Sequence, residues 1–349
     1  MKIVVPATTS NLASGFDVLG MALEIFLKVE IKYDSDCFNI MGCPKEYCNE
    51  DNLIVKGMKK IFEKVDKEYW DKIKNRISIN IESEIPIARG LGSSASCIAA
   101  GLVFANEYLF KNHGKSKFDN TQLVKFGTEI EGHPDNISAA ILGGITSSAI
   151  DNENNTLYSQ KINISSEFLE RYNFYVLIPD FEVKTEKARE LLPKTVEFTD
   201  AVFNLSRLAL LFTSLINNDE NLFKFSFEDR LHQRYRSKLI FNYDEIIDYS
   251  KESGAIATFI SGSGSSIVAI TKATENNLNY SGKNIGQSKK NLSFDKKNEE
   301  TYESDRESKK DYFEENMKEK LRYINEKYNR LWEIKKVKIN HDGAKIVEG

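Results

Sequence analysis

Ile85-Pro86-Ile87-Ala88-Arg89-Gly90-Leu91-Gly92-Ser93-Ser94-Ala95 is the stretch from which the rest of the chain can be read. The β-branched and apolar content of Arg76–Ile81 predicts a strand before it, and Ser93–Leu109 predicts an apolar helix directly after it. Glycines in such a turn let the backbone approach a ligand closely and take angles barred to other residues. The first amides of the helix, aided by its dipole, then point toward an anion. Ser93 and Ser94 are placed to cap that turn and to add hydroxyl donors or a metal ligand. A plain Gly-Ser turn also starts helices, so Gly-x-Gly by itself decides little. Two commoner nucleotide loops are excluded. A Walker A loop needs Gly-Lys-Ser/Thr, and a dinucleotide-binding turn needs a third glycine where Ala95 stands.

Outward from this loop, Ile3–Ala7, Ala22–Ile31, Phe174–Pro179 and Ala257–Ile260 also read as strands. Leu53–Lys64, Gln122–Glu131, Thr185–Leu192 and Asp200–Ile216 carry apolar residues at helical spacing. The alternation predicts an α+β or α/β protein. Asp151–Asn155 is a polar turn, and a boundary near residue 165 divides the chain into 1–165 and 166–349. Residues 272–310 differ: rich in Lys, Asn, Ser and Glu, balanced in charge and almost without apolar side chains, they read as a disordered insert. Order is expected to resume with a helix over Asp311–Leu331, then strands at Ile334–Ile339 and Lys345–Val347.

Composition narrows the function classes. The 349 residues carry 48 Lys+Arg against 52 Asp+Glu, a net charge of −4 that gives no basic excess for nucleic acid. Met1-Lys2-Ile3-Val4-Val5-Pro6 breaks its apolar run too early for a signal peptide, and no stretch approaches the roughly 20 apolar residues of a membrane span. A cytoplasmic protein is expected, with no membrane and no nucleic-acid partner. Cys37, Cys43, Cys48 and Cys97 contain no CxxC pair and are expected to be reduced thiols.

Two further segments join the glycine loop. One is Val5-Pro6-Ala7-Thr8-Thr9-Ser10-Asn11-Leu12-Ala13-Ser14-Gly15-Phe16-Asp17-Val18-Leu19-Gly20; the other is Ile260-Ser261-Gly262-Ser263-Gly264-Ser265-Ser266. The latter lies between the apolar runs Ala257–Ile260 and Ile267–Ile270, which favours a tight turn with close backbone approach over a linker. Pro-x-x-x-Gly-Leu-Gly-Ser-Ser-Ala, with these two segments in order, resembles the GHMP kinases. The resemblance covers residues 1–271 and, more weakly, 320–349.

It implies a two-domain kinase fold: an amino-terminal domain like domain 2 of ribosomal protein S5 and a ferredoxin-like carboxyl-terminal domain, with ATP between them. It further implies that Pro86–Ser94 and Gly262, Ser263 and Gly264 hold the nucleotide, with Asn52 near adenine or ribose. Ser94 and Glu131 would hold Mg²⁺, as a hydroxyl and a carboxylate suit a hard cation. A homodimer is implied as well.

Within the family, the first segment is most similar to the homoserine-phosphorylating branch, although Ala13 and Ser14 replace Gly and Pro. So are Glu131-Gly132-His133-Pro134-Asp135-Asn136, Lys184–Pro193 and Glu228–Arg236, the last with Arg234 where Pro is usual. L-Homoserine carries an ammonium, a carboxylate and a hydroxyl. Asp17 suits the ammonium; Arg189 and Arg236 suit the carboxylate, which guanidinium grips with two parallel hydrogen bonds. Asn11 and His133 can fix the remaining polar atoms. Asp135, by resemblance to mevalonate kinases, is one candidate base; Thr185 could instead orient the hydroxyl, and both remain open. Singly, each of these residues is as readily a surface charge or a turn residue. A mevalonate or sugar acceptor would leave Asp17 without an ammonium, and a silent metabolite sensor would not need Ser94, Glu131 and an unbroken loop.

Overall fold

The computed structural model describes residues 1–151, 153–273 and 311–347. The insert expected at 272–310 therefore lies, from residue 274 onward, outside the described residues. In chain order the strands are β1 (Lys2–Ser10), β2 (Leu19–Lys32), β3 (Asn39–Met41), β4 (Ser78–Ser83), β5 (Ile145–Asp151), β6 (Thr156–Lys161), β7 (Tyr172–Pro179), β8 (Ala257–Ile260), β9 (Ile267–Lys272), β10 (Trp332–Val337) and β11 (Lys345–Val347). The helices are α1 (Leu53–Phe62), α2 (Tyr69–Ile73), α3 (Ser93–His113), α4 (Asn120–Glu131), α5 (Asp135–Leu142), α6 (Ser166–Glu170), α7 (Thr185–Glu190), α8 (Phe198–Asn217), α9 (Glu220–Phe225), α10 (Gln233–Arg236), α11 (Tyr243–Glu252) and α12 (Tyr312–Tyr328).

Side-chain alternation builds the first sheet. Along β2, Leu23, Ile25, Leu27, Val29 and Ile31 are buried, while Glu24, Lys28 and Lys32 between them are exposed, the period of two that strand geometry imposes. β2 pairs antiparallel with β1, β4 and β5; β3 and β6 extend the sheet. The strand expected at Arg76–Ile81 begins two residues later, because Lys74–Arg76 takes a 3-10 turn. The hairpin β5–β6 was not anticipated; its Ser- and Thr-rich strands lack apolar runs. Its turn is the polar Asp151–Asn155 stretch, where Asp151 Oδ1 accepts from the Glu153 and Asn154 amides. Helix α3 is apolar nearly all round and buried accordingly.

The second sheet runs β10-β7-β9-β8, antiparallel throughout. With helices between β7 and β8 and α12 between β9 and β10, this is the ferredoxin-like order that the resemblance implied. Both faces are buried, again by alternation. Phe174 and Val176 join the large core of the first sheet, whereas Tyr175 and Leu177 meet Phe313, Met317, Leu321 and Ile324 of α12. The final strand does not stay with 166–349. β11 pairs with β1, and the Asn340 amide donates to Ala22 O, so the chain's end closes the first sheet.

Candidate active site

Three segments far apart in sequence are stitched together by hydrogen bonds. The Thr8 amide donates to Leu91 O at 3.1 Å, the Ser266 amide to Arg89 O at 3.1 Å, and Ser261 Oγ to Gly90 O at 2.6 Å. Asn11 Nδ2 and Arg236 Nη1 both donate to Gly262 O, at 2.9 and 2.8 Å. This packing demands glycine. Gly90 and Gly92 have φ of +72° and +67°, and a Cβ on them would stand 2.1 Å from Ser261 O and 1.8 Å from Thr8 Oγ1. Gly92 is the N-cap of α3 and supplies no side-chain cap, and the helix start opens on a cleft. Ser93 and Ser94 therefore do not cap the turn as expected. Ser94 Oγ instead donates to Glu131 Oε2 at 2.5 Å.

That cleft gathers most of the sequence-predicted residues. It is lined by Asn11, Asp17, Ala88–Ser94, Glu131, His133, Asp135, Thr185, Arg189, Arg236, Gly262 and Ser263. Pro86, Ile87, Gly264 and Asn52 are outside the lining. Asn52 caps α1, accepting from the Ile54 amide at 2.9 Å and donating to Tyr47 O at 2.9 Å. The Arg89 guanidinium is engaged within the protein: it donates to Ile87 O, Pro179 O and Asp180 O and pairs with Glu182 at 3.3 Å, tying the loop to the end of β7. Two lining residues, Ser10 and Asn136, escaped the sequence reading. Asn136 bridges Thr8 Oγ1 and Ser10 Oγ at 2.8 and 3.0 Å. Both lie inside quoted motifs, but being uncharged they gave no separate signal.

The charges fall into two groups. Around the start of α5, His133 Nδ1 meets Asp135 Oδ1 at 2.7 Å, and the Asn136 amide donates to the same oxygen at 2.8 Å. Burial disfavours both charges, but their mutual attraction outweighs it, so His133 is raised and Asp135 lowered from their ordinary values. Burial pushes Glu131 up, against the Ser94 hydrogen bond and His133. In the second group Arg189 forks onto Asp17, both bonds 2.8 Å, and this pairing raises the guanidinium further. Arg236 is nearly inaccessible, with its guanidinium 5.0 Å from the centre of the Phe16 ring. Its Nε has no partner among the described residues, and burial followed by repulsion from Arg189 brings it down to about 10. α8 places the Arg236 segment: Asn204 bonds Asp229 Oδ1 and the Arg230 amide. Arg234, the departure from the usual Pro, pairs with Asp200 at 2.6 Å on α8.

A helix amino terminus and fixed charges of both signs thus share one cleft, an arrangement suited to an anion and a small polar molecule. The GHMP kinases N terminal domain model matches residues 52–144, and the GHMP kinases C terminal model matches residues 210–279. A homoserine kinase of Clostridium botulinum is 39% identical over 287 residues, 82% of this chain and 90% of that protein. One of Clostridium beijerinckii is 41% identical over 270 residues, 77% of this chain and 86% of its own. The crystal structure of homoserine kinase from Cytophaga hutchinsonii superposes with a TM-score of 0.72 at 24% identity, covering 99% of this chain and 97% of that one. The chain belongs to the GHMP kinase family, whose members are ATP-dependent small-molecule kinases.

Proposed function

We propose that the protein transfers the γ-phosphate of ATP to the hydroxyl of L-homoserine, giving O-phospho-L-homoserine on the way to threonine. One observation carries the choice of acceptor: Arg236, whose Nε is a buried donor with no partner among the described residues, lines the same cleft as the Asp17–Arg189 pair. An α-amino acid supplies what each group lacks. Its carboxylate satisfies Arg236 and Arg189, and its ammonium replaces the guanidinium on Asp17. The Clostridium relatives point to the same substrate.

Ser94 and Glu131 fit Mg²⁺ by donor type, a hydroxyl and one carboxylate whose oxygens already lie 2.5 Å apart. When bound, the ion would neutralise phosphate charge. In this reading the amides at the start of α3 and the Gly262–Ser263 turn hold the phosphates, while Asn52, outside the cleft lining, acts on the base or ribose from the head of α1. Thr185 Oγ1, 3.4 Å from Ser263 Oγ, is placed to orient the acceptor hydroxyl. Asp135, engaged by His133 and lowered, is a weak base, which suits a reaction driven by alignment and charge neutralisation.

The enzyme acts in the cytoplasm as a homodimer. α8 supports the dimer: Phe198, Val202, Leu205, Ala209 and Ile216 are exposed along one side at four-, three- and seven-residue steps, with Phe198 83% and Leu205 66% exposed. Contrary to the expectation that no stretch approaches the length of a membrane span, among the described residues this helix alone is long and apolar enough to cross one. Its buried Asp200 and Asn204 instead tie it to the Asp229–Arg234 segment, leaving the apolar stripe for a second copy. Purified protein given MgATP should phosphorylate homoserine far faster than mevalonate or galactose. Comparable turnover on mevalonate would overturn the acceptor assignment and leave the fold untouched.

A further inference from the structure

Two of the four cysteines face one another. Cys43 and Cys48, five residues apart between β3 and α1, bring their sulfurs to 3.5 Å. Between them Lys45–Tyr47 forms a 3-10 turn, closed by the Tyr47 amide on Pro44 O and the Cys48 amide on Lys45 O. The turn is anchored. Glu50 accepts from Lys59 at 2.8 Å, Trp70 at 2.9 Å and Lys74 at 3.1 Å, which hold its carboxyl down to about 2. On the other side Asn52 Nδ2 donates to Tyr47 O and lies 4.0 Å from Cys43 Sγ. The dithiol thus touches the corner that positions Asn52 at the head of α1.

We propose that Cys43 and Cys48 are a redox modification site, forming a reversible disulfide with a low-molecular-weight disulfide such as oxidised glutathione, which weakens ATP binding. The second half rests on the proposed function, in which Asn52, from its capping position at the head of α1 outside the cleft lining, acts on the base or ribose. Cys48 is the exposed sulfur and makes the first attack, as thiolate on one sulfur of the oxidant; one glutathione thiolate leaves. Cys43 then loses its proton to water and attacks Cys48 Sγ, expelling the second. Two protein thiols lose two electrons and two protons, and the small disulfide gains them. Burial and the neighbouring Cys48 push Cys43 up to about 11, which suits the resolving thiol and not the entry point. Burial pushes Cys97 up to about 12, so it stays an inert thiol behind the pair. Closing the sulfurs from contact to a bond of about 2.05 Å draws the turn inward and pulls on Tyr47 and Asn52.

Trypsin cuts after Lys45, so the bond would join residues 33–45 to 46–56. The full-length protein, incubated with oxidised glutathione, is mapped by mass spectrometry and titrated with a fluorescent ATP analogue. The expected result is a Cys43–Cys48 link with ATP affinity reduced several-fold, both reversed by dithiothreitol. Cys48→Ser should bind ATP as tightly as the unoxidised wild type and abolish the response, and Cys43→Ser should stop at a glutathione adduct on Cys48. An adduct on wild-type Cys48 that never resolves onto Cys43 would overturn the proposal, as would linked protein with unchanged ATP affinity. Neither readout requires turnover, so failure to phosphorylate homoserine would count against the acceptor alone.

Discussion

At the scale of single residues the part of the cleft proposed for the acceptor is a set of fixed charges. Asp17 and Arg189 neutralise each other through two bonds of 2.8 Å, and a bound amino acid must exchange that pairing for its own two charges. Arg189→Lys keeps the charge but not the fork, and Arg236→Lys removes the unpartnered Nε–H. Each should raise the homoserine KM about 10- to 100-fold, the worth of one charged hydrogen bond. ATP affinity without homoserine should hold. An equal loss of ATP affinity in either variant would put that arginine on the phosphates. Glu131 gives a pH signature. Burial raises its pKa, so its cation-holding charged form is lost at a higher pH than for an ordinary carboxylate. The Mg²⁺ concentration for half-maximal rate should therefore climb as pH falls. Glu131→Gln should lower kcat strongly and flatten that climb; near-wild-type turnover at low Mg²⁺ would remove Glu131 as a ligand.

Elements carry these residues by two different means. α3, buried nearly all round, is a fixed post whose start faces the cleft, and Ser96 Oγ pins it to Pro6 O at 2.9 Å. α8 has two unlike faces. Its inner polar face, Asp200 and Asn204, organises the segment that delivers Arg236, while its outer face is an apolar stripe. Leu205→Glu sets a charge in the middle of that stripe without touching the inner face. It should convert a dimer to a monomer by light scattering, with the unfolding temperature of the protomer little changed. A wild-type protein already monomeric at micromolar concentration would remove the case for α8 as an interface.

Across the whole molecule the two sheets share one core, and the cleft depends on both. Arg89 reaches from the glycine loop to the end of β7, the Val183 amide donates to Ala88 O, and β11 returns to β1. Residues 274–309 lie between β9 and α12, two elements already packed together: Ile267 and Ala269 share a buried cluster with Phe313, Met317 and Leu321. Loop closure grows costlier only slowly with length, so this connection tolerates a wide range. Replacing 274–309 with a short Gly/Ser linker should leave both the unfolding temperature and the kinase rate near wild type. A folded variant with a lost rate would assign the segment a part in catalysis or assembly.

Local pattern was enough for what depends on near neighbours. The glycine loop with its flanking strand and helix, the alternating β2, and the helix expected from Asp311 were all legible, because period and turn chemistry act over a few residues. The site residues were legible only as members of ordered motifs. What the chain did not disclose was how their hydrogen-bonding capacity is divided. Asp17 and Arg189, 172 residues apart, were assigned to opposite ends of a ligand and are paired with each other. Arg89 spends its guanidinium on carbonyls, Ser94 turns to Glu131, Asn52 caps a helix outside the cleft lining, and β11 leaves its neighbours for the first sheet. Each of these outcomes is a choice among several partners of similar chemistry. Strand register and loop approach decide which partner comes within 3 Å, and those distances exist only once both sheets have closed on their shared core.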